Sequence, residues 1–356
     1  MSGSYQTAFF VREAILDRLR WGVTPGSADG PSFGDLPARY SADLPESRPP
    51  VASVPMRILD PTVVGVWGQG FGAFGGARGG NAFGLDRTLA GFAAGLDLRL
   101  PSGFRLGLVG GYAESALDTA GRRESAGVTG GFGGVYGGYE LGPVSVRLGA
   151  VYADESLRTR RTVVVPSVSD TPSGRYGGST VQGFGEIGYR FLVGAPAPAV
   201  LVSKVAEPGA LEQAAPTYVE PFVGGAYVGI HRDRFAETGG VAALTGSARD
   251  YDLAALTAGL RGQTAFDLGL GLPLSAHALL GYRRAYGDVV PKALLSFGAD
   301  PSFLAAGVPI DRDAVVAEVG LDLRLASGVT FGAAYTGQTG ARAQDHAVKG
   351  NLTCRF

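Results

Sequence analysis

The stretch Asn351-Leu352-Thr353-Cys354-Arg355-Phe356 alternates strictly between polar and apolar side chains. Such a period of two predicts a β-strand with one polar face and one apolar face, here ending on an aromatic residue. The same alternation recurs upstream in segments of roughly ten residues, the length that a tilted strand needs to cross a bilayer. The sequence therefore predicts an all-β fold, a transmembrane β-barrel.

Composition supports a barrel over other membrane and soluble classes. The chain of 356 residues has 58 Gly and 10% aromatic residues, and glycine lets aromatic rings lie against bare backbone in a closed sheet. Mean hydropathy is only +0.14, and no uninterrupted apolar run approaches the ~20 residues of a spanning helix. The formal net charge of −1 gives no electrostatic basis for binding nucleic acid.

Twelve strands can be placed by their alternation and by the turn residues between them, giving a twelve-stranded antiparallel barrel over residues 62–356. An even number returns both barrel ends to the same side of the membrane. The predicted strands are Val63–Ala73, Phe92–Leu100, Phe104–Tyr112, Gly127–Leu141, Val144–Tyr152, Val181–Phe191, Tyr218–Ile230, Leu253–Phe266, Leu274–Ala285, Ala314–Leu325, Val329–Gly337 and His346–Phe356.

The lengths of the connections predict the orientation of the barrel. Short turns alternate with long polar connections, and bacterial outer-membrane barrels keep short turns in the periplasm and long loops outside. The Ala- and Pro-rich stretch Val193–Pro216 breaks this rule, and we interpret it as a flexible insertion. The predicted long connections are Phe74–Gly91, Ser115–Ala126, Glu155–Thr180, His231–Asp252, Tyr286–Asp313 and Gln338–Asp345.

Charged residues gather on the strand parity opposite to the apolar one. A Lys or Arg facing lipid at the bilayer centre costs about 2 to 4 kcal/mol, so these side chains are expected to face a polar lumen. The alternative is a soluble β-sandwich with a charged exterior, which gives no reason for the alternation of long and short loops. The predicted lumen residues are Asp97, Arg99, Arg105, Arg147, Glu186, Arg190, Arg261, His277, Arg283, Glu318, Asp322, Arg324, Lys349 and Arg355.

A helix is predicted before the barrel, from Tyr5 to about Arg20, with Ser4 as its N-cap and Gly22 as its stop. Sixteen residues span roughly 24 Å, close to the ~25 Å apolar height of a barrel, and the mixed surface of the helix suits a charged lumen. The alternative is a surface or interfacial helix. Residues 1–21 would hold this helix, and the Pro-rich stretch Gly22–Pro61 would be a linker. The helix residues expected to pair with the lumen are Arg12, Glu13, Asp17 and Arg18.

Met1–Trp21 lacks a basic segment followed by a continuous apolar run, so no secretory signal is predicted there. A barrel of the outer membrane must first cross the inner membrane. The chain would then be either a fragment of a longer precursor or a chain whose export signal was removed, and we favour the fragment. The lone Cys354 is expected to serve as a small apolar residue on the last strand.

From Val66 to Phe356 the sequence resembles the C-terminal translocator domain of autotransporters, the type V secretion proteins, and the helix resembles their pore helix. The resemblance rests on the order and spacing of several short motifs over nearly the whole barrel. They are Trp67-Gly68-Gln69-Gly70-Phe71-Gly72, Glu186-Ile187-Gly188-Tyr189-Arg190-Phe191, Glu220-Pro221-Phe222, Phe235-Ala236-Glu237-Thr238-Gly239-Gly240, Gly259-Leu260-Arg261, Gly281-Tyr282-Arg283-Arg284-Ala285-Tyr286-Gly287-Asp288 and Tyr335-Thr336-Gly337-Gln338.

This resemblance implies a monomeric barrel in the bacterial outer membrane that carries a passenger, joined before Tyr5, to the cell surface and is then plugged by the helix. It also implies periplasmic barrel ends, extracellular long loops, and outer-membrane lipids, periplasmic chaperones and the barrel assembly machinery as partners. The terminal Leu352, Cys354 and Phe356 resemble the signal that this machinery reads. Residues 1–80 contain no Asn, so the Asn cyclisation by which some autotransporters release their passenger is not expected here.

Two other functions remain as alternatives. An enzyme of the outer rim would use His231 with Asp233 and Glu237, but no motif pairs this histidine with a Ser or Cys nucleophile. A pore or adhesin without a passenger would use its own loops, among them the basic tract Arg158-Thr159-Arg160-Arg161. No metal or cofactor is expected, because the Gly-x-Gly strings are strand glycines and not a strand-to-helix turn.

Overall fold

The computed structural model describes residues 1–21, 63–78, 84–119, 123–166, 168–193, 217–267, 273–298, 300–326 and 328–356. Within them, one helix, α1 (Ser2–Arg20), precedes twelve long antiparallel strands. These strands are β1 Val63–Ala77, β2 Leu85–Arg99, β3 Phe104–Thr119, β4 Glu124–Leu141, β5 Val144–Arg161, β6 Ser173–Tyr189, β7 Tyr218–Arg232, β8 Arg249–Asp267, β9 Pro273–Gly287, β10 Asp313–Ala326, β11 Val329–Gly340 and β12 Ala343–Arg355.

The strands close into a barrel. Each pairs with its sequence neighbours, and β12 also pairs with β1 in the register Arg355↔Gly65. Val64 and Phe356 exchange backbone hydrogen bonds of 3.2 and 2.9 Å beyond this last registered pair. Closure leaves no sheet edge among the twelve strands, as a membrane-spanning sheet requires. The predicted twelve-stranded antiparallel barrel is confirmed, and the β-sandwich alternative is excluded.

Strand alternation separates an outer face from an inner one. On β2, Phe92 and Leu96 are 55% and 51% exposed, whereas Asp97 between Leu96 and Leu98 is 3% exposed. A belt of exposed apolar side chains around a closed barrel is the surface that lipid covers. On β1, Val64, Val66 and Phe74 are exposed on the outer face, whereas Trp67 and Phe71 point inward and glycines occupy the outward positions between Val66 and Phe74. The prediction that apolar side chains face lipid is therefore wrong for Trp67 and Phe71 on this strand.

Inward aromatic rings pack against glycines on the neighbouring strand. A Cβ on Gly107 would lie 2.3 Å from Cζ of Tyr136, and one on Gly95 would lie 2.6 Å from Nε1 of Trp67. Both rings therefore lie flat on bare backbone of the adjacent strand. This packing lets large side chains line the barrel wall and leaves the centre free for a helix.

The strands extend further than the sequence predicted. The predicted connection Phe74–Gly91 contains the end of β1 and the start of β2, and four other long connections likewise overlap strand ends. The prediction of a long connection at Gln338–Asp345 is wrong, because only residues 341 and 342 separate β11 from β12. Outward positions beyond the lipid belt can be polar, as Asp86 and Thr88 of β2 are, so pairing continues where the hydrophobic alternation stops. The turns predicted to be short are short, with Gly103 and Gly142 at positive φ of 86° and 57°.

Part of the long connections forms additional sheet. Phe235–Ala236, Leu244–Gly246, Lys292–Phe297 and Phe303–Ala306 make a four-stranded sheet, and Val163–Val165 pairs with Val168–Asp170. Phe191–Leu192 adds a short strand beside β7. The predicted linker Gly22–Pro61 and the predicted insertion after Val193 lie outside the described residues.

The helix differs from its prediction at the N-terminus. It begins at Ser2 with Met1 as N-cap, and it ends at Arg20 with Trp21 as C-cap. The prediction of Ser4 as N-cap is wrong, because its hydroxyl is used in a contact with the barrel. In the described part of the chain, no helix has the length and hydropathy needed to cross a membrane.

Candidate functional site inside the barrel

The helix α1 lies in the lumen and contacts β2 to β7. Sixteen of its nineteen residues are buried, and they include both charged residues such as Arg18 and Arg20 and apolar residues such as Ala14 and Ile15. A surface helix keeps a polar face in water, whereas a helix buried on all sides is enclosed by protein. The lumen position is confirmed, and the surface alternative is excluded.

At its N-terminal end the helix forms polar contacts with the barrel through Ser4. The Ser4 hydroxyl donates to Oε2 of Glu155 on β5 over 2.7 Å. Nη1 of Arg232 on β7 donates to the same oxygen at 2.7 Å, and Nη2 of Arg232 contacts the Ser4 hydroxyl. This cluster lies near the ends of β5 and β7 that lead into the long connections.

The middle of the lumen is apolar. Phe9, Phe10, Val11, Ile15 and Leu16 pack in one buried cluster with inward rings of the barrel, and Phe10 stacks on Phe71 with ring centroids 6.2 Å apart. The prediction of a polar lumen is therefore wrong at this level. The rings of the barrel wall in this cluster are Trp67, Phe71, Phe132, Tyr136, Phe184 and Phe222.

Towards its C-terminus the helix forms a bidentate ion pair with β2. Nε and Nη2 of Arg18 lie 2.6 and 3.1 Å from the two carboxylate oxygens of Asp97, and Nη1 donates to Thr353 on β12 at 3.2 Å. The Tyr136 hydroxyl donates to Oδ2 of Asp97 at 3.0 Å. Arg18 and Asp97 are both buried, so the pair is shielded from solvent.

A second ion pair ties the helix to the opposite wall. Nη2 of Arg20 lies 2.5 Å from Oε2 of Glu186 on β6. Arg147 and Arg261 also donate to Glu186, at 3.2 and 2.6 Å. Arg147 and Arg261 further bind Glu220 of β7, at 3.0 and 2.5 Å, so Arg20 joins a network that spans β5 to β8.

A third contact involves β10 and β12. Nζ of Lys349 lies 2.6 Å from Oδ2 of Asp17 and also contacts Glu318. Nε1 of Trp21 donates to Oε1 of Glu318 at 3.3 Å, and its ring stacks on His277 with centroids 4.3 Å apart. Ion pairs thus surround the last turn of the helix on three sides.

Barrel arginines also bind the backbone at the end of the helix. Nη1 of Arg105 donates to the carbonyl oxygen of Arg18 at 3.0 Å, and Nε of Arg147 donates to that of Leu19 at 3.4 Å. The last carbonyls of a helix have no partner within it and carry partial negative charge. Arg105 and Arg147 therefore supply both the missing hydrogen bonds and a compensating positive charge.

The structure places the predicted lumen residues in three groups. Asp97, Arg105, Arg147, Glu186, Glu318 and Lys349 contact the helix or its last turn. His277 stacks on the C-cap Trp21 and Arg283 lies over the rings of Tyr5 and Phe9, so both also contact the helix or its end. Arg190, Arg261 and Asp322 stand among the barrel residues around them. Arg99, Arg324 and Arg355 are only partly buried.

The four helix residues expected to pair with the lumen also divide. Asp17 and Arg18 pair with barrel strands. The ion pairs of Arg12 and Glu13 lie within the helix: Nε of Arg12 is 3.4 Å from Oε1 of Glu13, and Nη1 of Arg20 is 2.7 Å from Oε2 of Glu13. Sequence reasoning missed several residues of the site. They are Ser4, Arg20, Trp21, Glu155, Glu220 and Arg232.

The residues proposed as the assembly signal lie on the outer face at the C-terminal end of the chain, where β12 pairs with β1 and closes the barrel. Leu352 and Phe356 are 47% and 79% exposed, and Cys354 is partly exposed. Their role as a signal stays a prediction.

At the outer rim, His231 has both ring nitrogens against carboxylates, Nδ1 2.6 Å from Asp250 and Nε2 3.3 Å from Asp233. This arrangement leaves neither nitrogen to activate a nucleophile.

A closed barrel of twelve strands with an ion-paired helix through its lumen defines a class, the outer-membrane β-barrels of bacterial secretion. Residues 66–336 match the family model described as Autotransporter beta-domain. The chain belongs to the autotransporter β-domain family, whose barrels lie in the outer membrane and act in translocation.

Three solved structures of autotransporter barrels share the fold of this chain. The translocator domain of NalP from Neisseria meningitidis has a TM-score of 0.63 at 15% identity, covering 84% of this chain and 90% of that domain. The β-domain of the Bordetella autotransporter BrkA has a TM-score of 0.58 at 18% identity, with 83% and 100% covered. The transport unit of AIDA-I from Escherichia coli has a TM-score of 0.58 at 13% identity, with 82% and 89% covered.

Two curated relatives, both named Extracellular serine protease and both from Serratia marcescens, are 29% identical over 294 residues. The matched segment covers 82% of this chain, and the chain spans 26% of the length of these relatives.

Proposed function

We propose that this barrel carries a passenger segment, joined to the N-terminal end of α1, to the cell surface and then anchors or releases it there. The observation that carries the proposal is the direction of the helix. Its N-terminal Ser4 contacts the long-loop ends of β5 and β7, and its C-terminal Arg18 contacts Asp97 and Thr353 at the short-turn ends of β2 and β12. A chain preceding α1 would thus leave the lumen on the side of the long loops.

In this proposal the long loops are extracellular and both barrel ends are periplasmic. Outer-membrane barrels place short turns in the periplasm, and Gly103 and Gly142 mark such turns here. The barrel assembly machinery, periplasmic chaperones and outer-membrane lipids would be its partners during insertion, with Leu352, Cys354 and Phe356 as the strand that the machinery binds by β-augmentation.

The barrel itself would contribute transport and not catalysis. The Serratia relatives are named as extracellular serine proteases, and the matched barrel is 26% of their length, so we assign any protease activity of a protein of this kind to its passenger. Residues 1–80 contain no Asn, so release by Asn cyclisation within the lumen is not part of the proposal.

Display of a reporter on intact cells tests the proposal. A reporter with an export signal is joined before Ser2, and a matched control carries the same epitope inserted after Ser102 in the β2–β3 turn. External protease is expected to remove the reporter before Ser2 and to spare the epitope at Ser102. A folded barrel that leaves the Ser2 reporter in the periplasm would overturn the proposal and favour a pore or adhesin without a passenger.

A further inference from the structure

Three outward arginines form a patch beyond the lipid belt, which we call the arginine patch: Arg158 and Arg160 on β5 and Arg175 on β6. All three are exposed. They share the strand parity of the exposed Tyr152 on β5 and Val181 on β6, so they point away from the lumen. They therefore belong to the outer wall of the barrel and not to the helix site.

The patch concentrates like charge on a rigid ladder. Arg158 and Arg175 are direct cross-strand partners, and Arg160 follows two positions along β5. Like charges placed directly opposite each other destabilise a strand pair. Within the described ranges none of the three has an ion pair, whereas Arg284, another outward arginine, is partnered by Asp313 at 3.6 Å. An anion between Arg158 and Arg175 would remove the repulsion.

The distance of the arginine patch from the apolar belt indicates which kind of membrane anion can reach it. Arg158 lies six positions beyond Tyr152, the last exposed aromatic residue of β5. At about 3.3 Å per residue and a tilt of roughly 40°, this distance is about 15 Å along the barrel axis. The headgroup layer of a phospholipid bilayer adds only roughly 5 to 8 Å on each side of the hydrocarbon core. Phospholipid phosphates therefore lie well below the patch.

We propose that the arginine patch binds phosphate groups on the oligosaccharide head of an outer-leaflet glycolipid, lipopolysaccharide. Phosphorylated sugars stand above the acyl chains at the level of the patch, and guanidinium groups bind phosphate with paired hydrogen bonds. The proposal rests on the proposed orientation, in which the long-loop end of the barrel is extracellular. The lipid contact would fix the height of the β5–β6 sector in the membrane.

Binding of lipopolysaccharide to the purified barrel in detergent tests the proposal. The triple variant R158Q/R160Q/R175Q is expected to bind lipopolysaccharide with a phosphorylated core about tenfold more weakly than the wild type. The control R78Q/R284Q/R342Q changes three other exposed arginines and the net charge equally, and its affinity is expected to stay within about twofold. Heat-modifiable gel mobility verifies that each variant is folded.

Lipid chemistry separates the possible sources of phosphate. The wild-type barrel is expected to bind lipopolysaccharide without core phosphates as weakly as R158Q/R160Q/R175Q binds the phosphorylated form. Phosphatidylglycerol vesicles and inorganic phosphate are expected to compete poorly with phosphorylated lipopolysaccharide for the wild-type barrel. Equal affinity of wild type and R158Q/R160Q/R175Q, or equal affinity for dephosphorylated core, would overturn the proposal. Efficient competition by phosphatidylglycerol or inorganic phosphate would overturn it too, since it would indicate a general anion site.

Labelling on cells separates this proposal from the proposed function. Arg160→Cys in a Cys354→Ser background is treated with a membrane-impermeant maleimide on intact cells. Labelling together with absent lipid binding would contradict the glycolipid site alone. Labelling only after the outer membrane is permeabilised would contradict the orientation on which both proposals depend.

Discussion

Arg18 and Asp97 make the most direct contact between the helix and the barrel wall. Their bidentate geometry and their burial mean that removing one partner leaves the other charged and shielded from water. Sequence reasoning identified each of them as a buried polar residue. It could not pair them, because strand parity tells which face a side chain occupies and not its height or its position around the barrel.

Arg18→Gln is expected to loosen the docked helix while the barrel stays folded. Breaking one side of a buried ion pair typically costs about 3 to 5 kcal/mol, here on the docking of α1. Proteolytic susceptibility of the helix in the purified barrel measures this loss. Arg12→Gln is the matched control, because the ion pair of Arg12 lies within the helix at 3.4 Å to Glu13. Equal susceptibility of the two variants would contradict the role of Arg18.

Glu220 shows what residue-level reading can miss. It is fully buried and binds Arg147 and Arg261, yet the sequence analysis includes it only in the motif Glu220-Pro221-Phe222. Its strand parity, opposite to that of the exposed Val219 and Val223, was a sufficient signal for an inward position.

At the scale of elements, glycines let inward aromatic rings lie against the adjacent strand, as Tyr136 lies on Gly107. Sequence alternation located every barrel strand, because one face of each strand meets lipid. It could not locate the inward rings of β1 and β4, since a ring that packs on a glycine of the next strand looks the same in sequence as one that faces lipid. The aromatic layer around Phe9 and Phe10 was therefore missed.

Gly107→Ala is expected to destabilise the barrel, because the added methyl group would lie 2.3 Å from the Tyr136 ring. Overpacking of this kind typically costs about 1 to 3 kcal/mol, measured as a lower midpoint of thermal or denaturant unfolding. Gly110→Ala on the same strand is the control, because its nearest neighbour would be 3.6 Å away. Indistinguishable unfolding midpoints for the two variants would show that Tyr136 does not require a bare backbone at Gly107.

The helix termini illustrate a second limit of sequence reading. Helical spacing and mixed polarity predicted α1 within three residues of its observed start at Ser2. The predicted cap failed because Ser4 donates to Glu155, a residue 151 positions away that local rules do not consider. Tertiary contacts likewise supply the C-terminal partners, since Arg105 and Arg147 bind the last helix carbonyls.

At the scale of the whole molecule, the fold is a closed wall around one element that fills its centre. Twelve strands, their order and the position of the helix followed from alternation, loop lengths and the resemblance to autotransporter barrels. The additional sheet at the long-loop end did not, because strands as short as Phe235–Ala236 lack a lipid-facing alternation. The ion pairs around Asp17, Arg18 and Arg20 hold the helix at the opposite end.

Ion conductance of the barrel in planar bilayers tests the central claim, that α1 plugs the lumen of a translocator. The full chain is expected to conduct little, and deletion of Met1–Arg20 is expected to raise single-channel conductance about tenfold or more, because the lumen of twelve strands would then be open to water. A full chain that conducts as well as the deletion variant, with both barrels folded, would contradict the account.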